Sequence, residues 1–228
     1  MFSVAENIPI FTIDQLQKIG RDPDYPMNGN YYLANDIDAS ETKFWNNGEG
    51  FCPIGRRNQE LFKGITGWLR KQVQSKIQFF EGSFDGKGYK ISDLYIVPKE
   101  GEADFLGIFA SIGEKGYVKN IIIEDIYIED KEIFGYSIMG SLAGYNFGII
   151  ENIHSSGILK GLSYIGGIVG RNNNEIKRCS SSCRIMGGFV IGGISGDNTG
   201  SIINCFFSGS ISDIIFDNIS TRYGTYMG

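Results

Sequence analysis

Three stretches in the second half of the chain align without gaps and decide the fold. They are GSLAGYNFGIIENIHSSGILKG at 140–161, GGIVGRNNNEIKRCSSSCRIMG at 166–187 and GGISGDNTGSIINCFFSGSISD at 192–213. Their first glycines stand at 140, 166 and 192, a step of 26 residues twice running. A second glycine, an asparagine and an isoleucine keep the same step: Gly144, Gly170 and Gly196; Asn146, Asn172 and Asn198; Ile150, Ile176 and Ile202. A fixed step of this kind indicates a repeat architecture.

Each repeat is rich in β-branched residues, has Gly and Asn at its turns and lacks the helical period, which predicts short strands. A unit of about 26 residues is too small to bury its own apolar face, so neighbouring units must stack as a solenoid. Looser copies of the pattern stand upstream at 107–128 and 82–96. The sequence therefore predicts an all-β solenoid with at least five units between Gly82 and Asp213.

Stacking predicts columns of similar residues, one strand spacing apart, along the axis of the solenoid. We expect two aliphatic columns: Ile91, Val118, Ile150, Ile176 and Ile202, and Leu94, Ile121, Ile153, Cys179 and Cys205. A polar column at a turn comprises Asp93, Asn120, Asn152 and Asn204, with Arg178 interrupting it. Amide side chains in such a column can form hydrogen bonds from unit to unit.

The cysteines follow from these columns. Cys179 and Cys205 occupy an aliphatic column, which predicts buried thiols, although a disulfide between adjacent units is also geometrically allowed. Cys179 and Cys183 have no second cysteine pair or histidine cluster to accompany them, so we predict no metal site.

Composition excludes several classes of protein. Glycine accounts for 32 of 228 residues, roughly twice the usual share, but it does not recur at every third position as in collagen. The net charge of −5 is not typical of nucleic-acid binding, and no run of 18 apolar residues suits a membrane span. His154 is the only histidine, so a catalytic base would have few sources, and we expect neither a cofactor nor catalysis.

The N-terminal third predicts a cap on the solenoid. Thr12 and Gln15 suit the start of a short helix, Ile13, Leu16 and Ile19 give it an apolar face, and Gly20 ends it. We divide a single domain, 1–228, into an N-terminal cap (1–24), a first coil (25–55), an inserted loop (56–80), repeated coils (81–213), and a closing strand and tail (214–228).

The glycine frames GSLAG, GGIVG and GGISG, with the lead-in NYYLANDID at 30–38 and FEGSFDGKGYKISDL at 80–94, resemble the GLUG repeat of bacterial surface and adhesin-like proteins. The resemblance covers about residues 10–213. It implies a right-handed parallel β-helix and a secreted or cell-surface setting, and it supplies no catalytic residues. Because the N-terminus lacks the pattern of a signal peptide, a cytoplasmic or phage-encoded protein is the alternative.

The loop at 56–80 departs from the resemblance, because relatives place the PIG turn and the FxGxFDG stretch much closer together. It contains six basic residues and one acid, Glu60, for a charge of +5, whereas the rest of the chain has 15 basic and 25 acidic residues. Arginine and tryptophan are common in binding hot spots. The predicted partner-binding residues are Arg56, Arg57, Lys63, Trp68, Arg70, Lys71 and Lys76. The competing interpretation is a loop that packs on the solenoid for stability.

Three functions follow from these features. The first is a non-catalytic binding or adhesion module that presents a rigid surface, with tyrosines available for sugar stacking, to a protein or a polyanionic glycan. The second is an intracellular inhibitor, phage-encoded, that binds a protein through the insert. The third is a polysaccharide lyase or hydrolase, which the scattered acids and the lone histidine disfavour. An oligomer formed through the side face of the solenoid is left open.

Overall fold

The computed structural model describes residues 7–56, 78–99, 105–131 and 137–214. One α-helix, α1 (Ile13–Lys18), and one 3-10 segment (Ser40–Gly48) accompany the strands. The strands are β1 (Asn7–Ile10), β2 (Asn30–Leu33), β3 (Ile37–Asp38), β4 (Ser83–Asp85), β5 (Lys90–Ser92), β6 (Tyr95–Ile96), β7 (Phe105–Leu106), β8 (Phe109–Ile112), β9 (Tyr117–Glu129), β10 (Ile138–Gly140), β11 (Ala143–Asn146), β12 (Ile149–Lys160), β13 (Ser163–Gly166), β14 (Val169–Asn172), β15 (Glu175–Lys177), β16 (Ser180–Ser181), β17 (Arg184–Gly187), β18 (Phe189–Gly192), β19 (Ser195–Asn198), β20 (Ser201–Ile203), β21 (Phe206–Phe207) and β22 (Ser210–Asp213).

These strands form three sheets in which all the pairings between named strands are parallel. Sheet A has 14 strands, and its main path runs β1-β2-β4-β9-β12-β15-β20. Sheet B runs β8-β11-β14-β19, and sheet C runs β7-β10-β13-β18. Each repeat in the second half of the chain thus places one strand in sheet B, one in sheet C and the remainder in sheet A. The all-β prediction and the parallel pairing of repeats are confirmed.

The register of the sheets reproduces the step in the sequence. From β10 onward, paired residues are 26 apart in every sheet, as in Ile150 with Ile176, Val169 with Ser195 and Ile165 with Ile191. Upstream, β9 and β12 pair with a step of 32 that becomes 31 after a register shift between Ser155 and Gly157. The extra residues were expected near 129–136, where 132–136 lie outside the described residues.

The columns confirm the prediction downstream of Val118 and correct it upstream. Val118, Ile150 and Ile176 are buried and in register, as are Ile121, Ile153 and Cys179. Ile91, however, pairs with Ile123, and Phe84 occupies the position beside Val118. Leu94 is next to Tyr95, which pairs with Tyr127, so its column contains Ile126 rather than Ile121. The ungapped frame failed here because the step between these units is 32–34 residues, set by turns whose length hydrophobic pattern alone does not fix.

The polar column at the turn requires a left-handed backbone. Asn120, Asn152, Arg178 and Asn204 have φ values of 57°, 54°, 54° and 53°. Asparagine adopts this conformation more readily than other non-glycine residues, which explains its recurrence. The Asn152 side chain donates to Asn120 Oδ1 (2.9 Å), but the residue that accepts from Asn120 is Asp85, at 3.0 Å. The predicted place of Asp93 in this column is therefore wrong.

A second asparagine ladder runs inside the molecule. Asn146 Nδ2 donates to Asn172 Oδ1 and Asn172 Nδ2 donates to Asn198 Oδ1, each over 2.7 Å. Asn146 and Asn172 are fully buried, whereas Asn198 is exposed. The sequence shows the 26-residue spacing of these three residues, but only the structure shows that they are a buried hydrogen-bonded row.

Helix α1 forms where the capping residues predicted it. The Thr12 side chain accepts a hydrogen bond from the Gln15 backbone N–H (3.3 Å), and Gln15 Oε1 accepts from the Phe11 N–H (2.7 Å). Ile13 and Leu16 are buried, and Gly20, with a φ of 77°, follows the helix end. The predicted cap at 1–24 also contains a strand that the sequence did not indicate, because β1 pairs with β2 in sheet A.

The boundary of the predicted insert also shifts. Phe80 is fully buried, forms a parallel bridge with Ile112 and belongs to the core, so it is not part of a surface loop. The 57–77 segment lies outside the described residues, and so does the predicted closing strand and tail beyond Ile214.

Candidate interaction surface

Of the seven residues predicted to bind a partner, the structure describes Arg56, which is half-buried and whose N–H donates to Pro53 O (3.0 Å). The other six, namely Arg57, Lys63, Trp68, Arg70, Lys71 and Lys76, lie outside the described residues. The insert therefore remains a prediction, and the described surface offers other candidates.

Sheet B aligns a set of functional groups in one column. Ser111, Tyr145, Arg171 and Asp197 pair with one another in register across β8, β11, β14 and β19. Ser111 is buried, and Tyr145, Arg171 and Asp197 are half-buried, so the accessible part of the column begins at Tyr145. Because adjacent strands lie about 4.8 Å apart, these three side chains span about 10 Å.

Aromatic rings surround Tyr145. Its ring stacks on Phe147 with centroids 4.5 Å apart and an interplanar angle of 18°. Phe105 approaches Tyr145 edge-on at 6.1 Å, and Phe79, 37% exposed, approaches Phe147 edge-on at 5.7 Å. Offset-stacked and edge-on pairs are the favoured arrangements of aromatic rings. The four rings are therefore a packed aromatic cluster that remains partly open to solvent.

Arg171 joins this cluster to an acid. Its Nε and Nη2 atoms contact Asp197 Oδ2 at 2.9 and 2.8 Å, and its guanidinium lies 5.5 Å from the Tyr145 ring centroid and 4.9 Å from that of Tyr164. Both contacts end on Oδ2, so Asp197 Oδ1 accepts no hydrogen bond from the side chains that the structure describes. We call Phe79, Phe105, Tyr145, Phe147, Tyr164, Arg171 and Asp197 the aromatic–arginine surface.

A charged column on sheet A is the second feature that a partner could contact. Asp85, Lys119, Glu151 and Lys177 are in register and alternate in sign. Lys119 lies 3.6 Å from Asp85, and Lys177 lies 3.6 Å from Glu151. The acids and bases thus neutralise one another, and partly exposed ion pairs of this kind contribute little stability each.

Two further contacts engage the acids of this column. Tyr117 Oη donates to Glu151 over 2.5 Å, and Arg178 also pairs with Glu151. Burial acts to raise the pKa of Asp85, but hydrogen bonds from Asn120 and Lys87 outweigh it, so the pKa lies below its ordinary value. Both groups therefore serve as ionised partners in local contacts, and nothing in their geometry sets one of them aside as a general acid.

The tyrosines proposed for sugar stacking do not form one row. Tyr95 and Tyr127 stack on adjacent strands at 5.4 Å with nearly parallel rings, while Tyr89 is exposed at a turn. Tyr117 faces the charged column of sheet A, and Tyr145 alone of the five lies on sheet B. Turns and register, which set these positions, were not readable from spacing alone.

The remaining reactive groups are dispersed. His154 is exposed, with Nδ1 2.7 Å from Ser180 Oγ. All four cysteines are free thiols in the structure, and burial raises the pKa of the Cys179 thiol to about 12. Within the described ranges, no three His, Cys, Asp or Glu side chains group together in a way that could hold a metal ion. Over the same residues, no helix has the length and apolar character needed to cross a membrane.

Comparison with known proteins gives partial matches. No protein-family model matches the chain. The chain is 30% identical over 132 residues to Halomucin of Haloquadratum walsbyi, which covers 58% of this chain and 1% of that protein. It is 32% identical over 93 residues to a protein of Evansella cellulosilytica named "Putative Gly-rich membrane protein", covering 41% of this chain and 10% of that one. This chain therefore spans a small fraction of the length of either relative.

A solved structure matches over almost the whole chain. A crystal structure titled "putative immunoglobulin A1 protease" from Bacteroides ovatus superposes with a TM-score of 0.52 and 14% identity, covering 97% of this chain and 83% of the other. At this level of identity the likeness concerns the fold alone. The comparisons thus support a mostly β architecture with parallel sheets, and they do not assign the chain to a family.

Proposed function

We propose that the three sheets wind as the faces of a right-handed parallel β-helix. The support is the constant step of 26 residues in sheets A, B and C, together with buried columns such as Val118, Ile150 and Ile176. Successive repeats pair side by side, and each buries its apolar residues against the next, as expected for a solenoid. The right-handed sense rests on the resemblance to the GLUG repeat.

We further propose that the protein is a non-catalytic binding module whose partner is a glycan. The single observation that carries this proposal is the aromatic–arginine surface, where the Tyr145–Phe147 stack adjoins the Arg171–Asp197 pair. A sugar ring has apolar C–H faces, which pack on aromatic rings, and a rim of hydroxyls, which need both donors and acceptors. Arg171 supplies donors and Asp197 Oδ1 supplies an acceptor within one strand spacing of each other.

The surface is also preorganised. Tyr145, Arg171 and Asp197 are held on paired strands of one sheet, and Arg171 is fixed between two rings and a carboxylate. Groups that are already ordered lose little conformational freedom on binding, so more of the contact energy appears as affinity. A protein partner would use the same aromatic and arginine anchors. The glycan is favoured because donors and acceptors are interleaved with the rings on one narrow strip.

The setting that we propose is the cell surface. The relative from Evansella cellulosilytica is named a membrane protein, and the GLUG resemblance implies secreted or surface proteins. Glycan binding by the aromatic–arginine surface does not depend on that setting.

An array of immobilised oligosaccharides tests the proposal with the full chain as probe. We expect the chain to bind a subset of glycans, and Phe147→Ala and Arg171→Gln to weaken that binding at least about tenfold each. Lys177→Gln, in the charged column of sheet A, is the matched control and should bind like the unchanged chain. Thermal unfolding of all three variants confirms that they fold.

Two results would count against the proposal. If the unchanged chain binds no glycan, the glycan partner is wrong. If it binds but Arg171→Gln and Lys177→Gln weaken binding equally, the aromatic–arginine surface is not the site.

A further inference from the structure

All three sheets stop at the same repeat. Strands β18, β19 and β20 stand at the ends of their sheets, and β21 and β22 pair on one side, with β16 and β17. Within the part of the chain that the structure describes, each of these five strands therefore has one partner and one open edge. An open edge presents unpaired N–H and C=O groups, which native proteins usually cover or interrupt.

The apolar interior opens at this repeat as well. Six residues stand one step beyond buried ones, in columns whose preceding residues are Ser163, Ile165, Ile176, Cys179, Ser181 and Ile185, all at most 2% exposed. Ile202 is 38% exposed and Ile211 is 49% exposed, although Ile176 and Ile185 before them are fully buried. We call the six residues, Phe189, Ile191, Ile202, Cys205, Phe207 and Ile211, the end surface.

The end surface is apolar and carries no formal charge. Its members keep the side-chain direction of their buried predecessors, because parallel strands in register point equivalent residues the same way. Their exposure therefore reflects the lack of a following layer among the described residues, not an outward orientation. A contiguous exposed apolar surface of this kind usually marks a contact site.

We propose that residues 215–228 are the cover of this end surface. The segment begins at its rim, because the N–H of Ile214 donates to Gly187 O (3.2 Å) and continues the pairing of β22 with β17. Its sequence, IFDNISTRYGTYMG, contains six large apolar or aromatic residues and balances Asp217 with Arg222. Fourteen residues reach up to about 46 Å when extended, more than enough to cross the end of a small β domain.

A tethered segment has an advantage over a separate molecule. Its effective concentration near the end surface is on the order of millimolar, so even weak apolar contacts favour the covered state. Elsewhere in this chain an apolar edge is met in the same manner, since helix α1 contacts β1, the opposite end of sheet A, and buries Ile13 and Leu16. The competing occupant, a second copy of the chain, would cover the surface only at concentrations that favour a dimer.

The thiol of Cys205 reports on the cover, because it lies within the end surface and is half-buried. The test measures iodoacetamide labelling of each cysteine by peptide mass spectrometry, in the full chain and in a double variant, Phe216→Ser with Ile219→Ser. We expect the double variant to label Cys205 about tenfold faster, because loss of the apolar contacts uncovers it. Phe44→Ser, which changes a residue 75% exposed elsewhere, is the matched control and should label like the full chain.

Cys179 and Cys183 are buried and serve as an internal check that each variant remains folded. Equal labelling of Cys205 in the full chain and the double variant, with both buried thiols protected, would overturn the proposal. If the protection of Cys205 disappears when the full chain is diluted a hundredfold, as mass action predicts for a dimer, the proposal is overturned in favour of a second copy.

Discussion

The buried asparagine ladder offers a direct measure of what holds the repeats together. Asn172 is its central member: Oδ1 accepts from Asn146 Nδ2, and Nδ2 donates to Asn198 Oδ1 and to the Asn174 carbonyl at 2.9 Å. Asn172→Ala removes all of these bonds. Asn198 and Asn174 are exposed and can bond to water instead, but one N–H of Asn146 is left without a partner in the interior.

The magnitude follows from that single buried donor. Leaving a buried polar group unsatisfied costs about 1–3 kcal/mol, and the space vacated by the amide adds to it, so we expect Asn172→Ala to lower the free energy of unfolding by about 2–4 kcal/mol. Asn198→Ala leaves Asn172 Nδ2 its bond to Asn174 and exposes the lost partner to water, so it should cost below about 1 kcal/mol. Asn172→Asp should cost more than Asn172→Ala, because a carboxylate would face the acceptor oxygen of Asn198 without a cation.

Urea unfolding followed by circular dichroism measures these differences, with the slope of the transition as a check on two-state behaviour. Hydrogen exchange at the amides of β14 and β19 provides a local measurement if the repeats unfold separately. If Asn172→Ala and Asn198→Ala destabilise the protein equally, or Asn172→Ala costs less than about 0.5 kcal/mol, burial of the ladder does not stabilise the stack of repeats.

Three further expectations test the core, a buried thiol and the insert. Ile176→Ala should lower the free energy of unfolding by about 2–5 kcal/mol and Ile202→Ala by clearly less, since Ile176 is fully buried and Ile202 is 38% exposed; equal losses in urea titrations would contradict the register. The pKa of Cys179 rises from 9.0 to about 12 in the folded chain, so above pH 9 the unfolded thiol loses its proton first and stability should fall by up to about 1 kcal/mol per pH unit. Cys179→Ala should reduce that slope in unfolding measured at pH 8–11, and an unchanged slope would show that other groups cause it. Deletion of 57–78 should lower the salt concentration at which the chain elutes from heparin, because most of the basic insert is lost, and identical elution would argue against the insert as a polyanion site.

Prediction from the sequence succeeded where one constraint repeats without variation. A step of 26 residues fixes which residues can be neighbours, because parallel strands in successive units must pair in the same register to keep one face buried. The columns of Ile150, Ile176 and Ile202 and the left-handed turn at Asn152 follow from that step. The helix at Ile13–Lys18 was equally readable, because its start depends on local capping by Thr12 and Gln15.

It failed where the spacing changes. Ile91, Asp93 and Leu94 were assigned to the wrong columns, since turns of different length shift the frame and neighbouring aliphatic residues satisfy the pattern almost as well. Strand β1 was missed because four residues carry too little periodicity to distinguish a strand from a loop. The predicted insert can still be tested only by experiment, as 57–77 lie outside the described residues.

By itself the sequence determined the repeat, its step, the β character of the chain and the apolar residues that stack, because these depend on local periodicity. Only the tertiary structure decided that Tyr145, Arg171 and Asp197 share one column and that Phe79 and Phe105 join them. Those contacts link residues far apart in the chain through strand pairing and turn geometry. A surface of this kind has no signature in any single stretch of sequence, since no one of its segments contains more than a part of it.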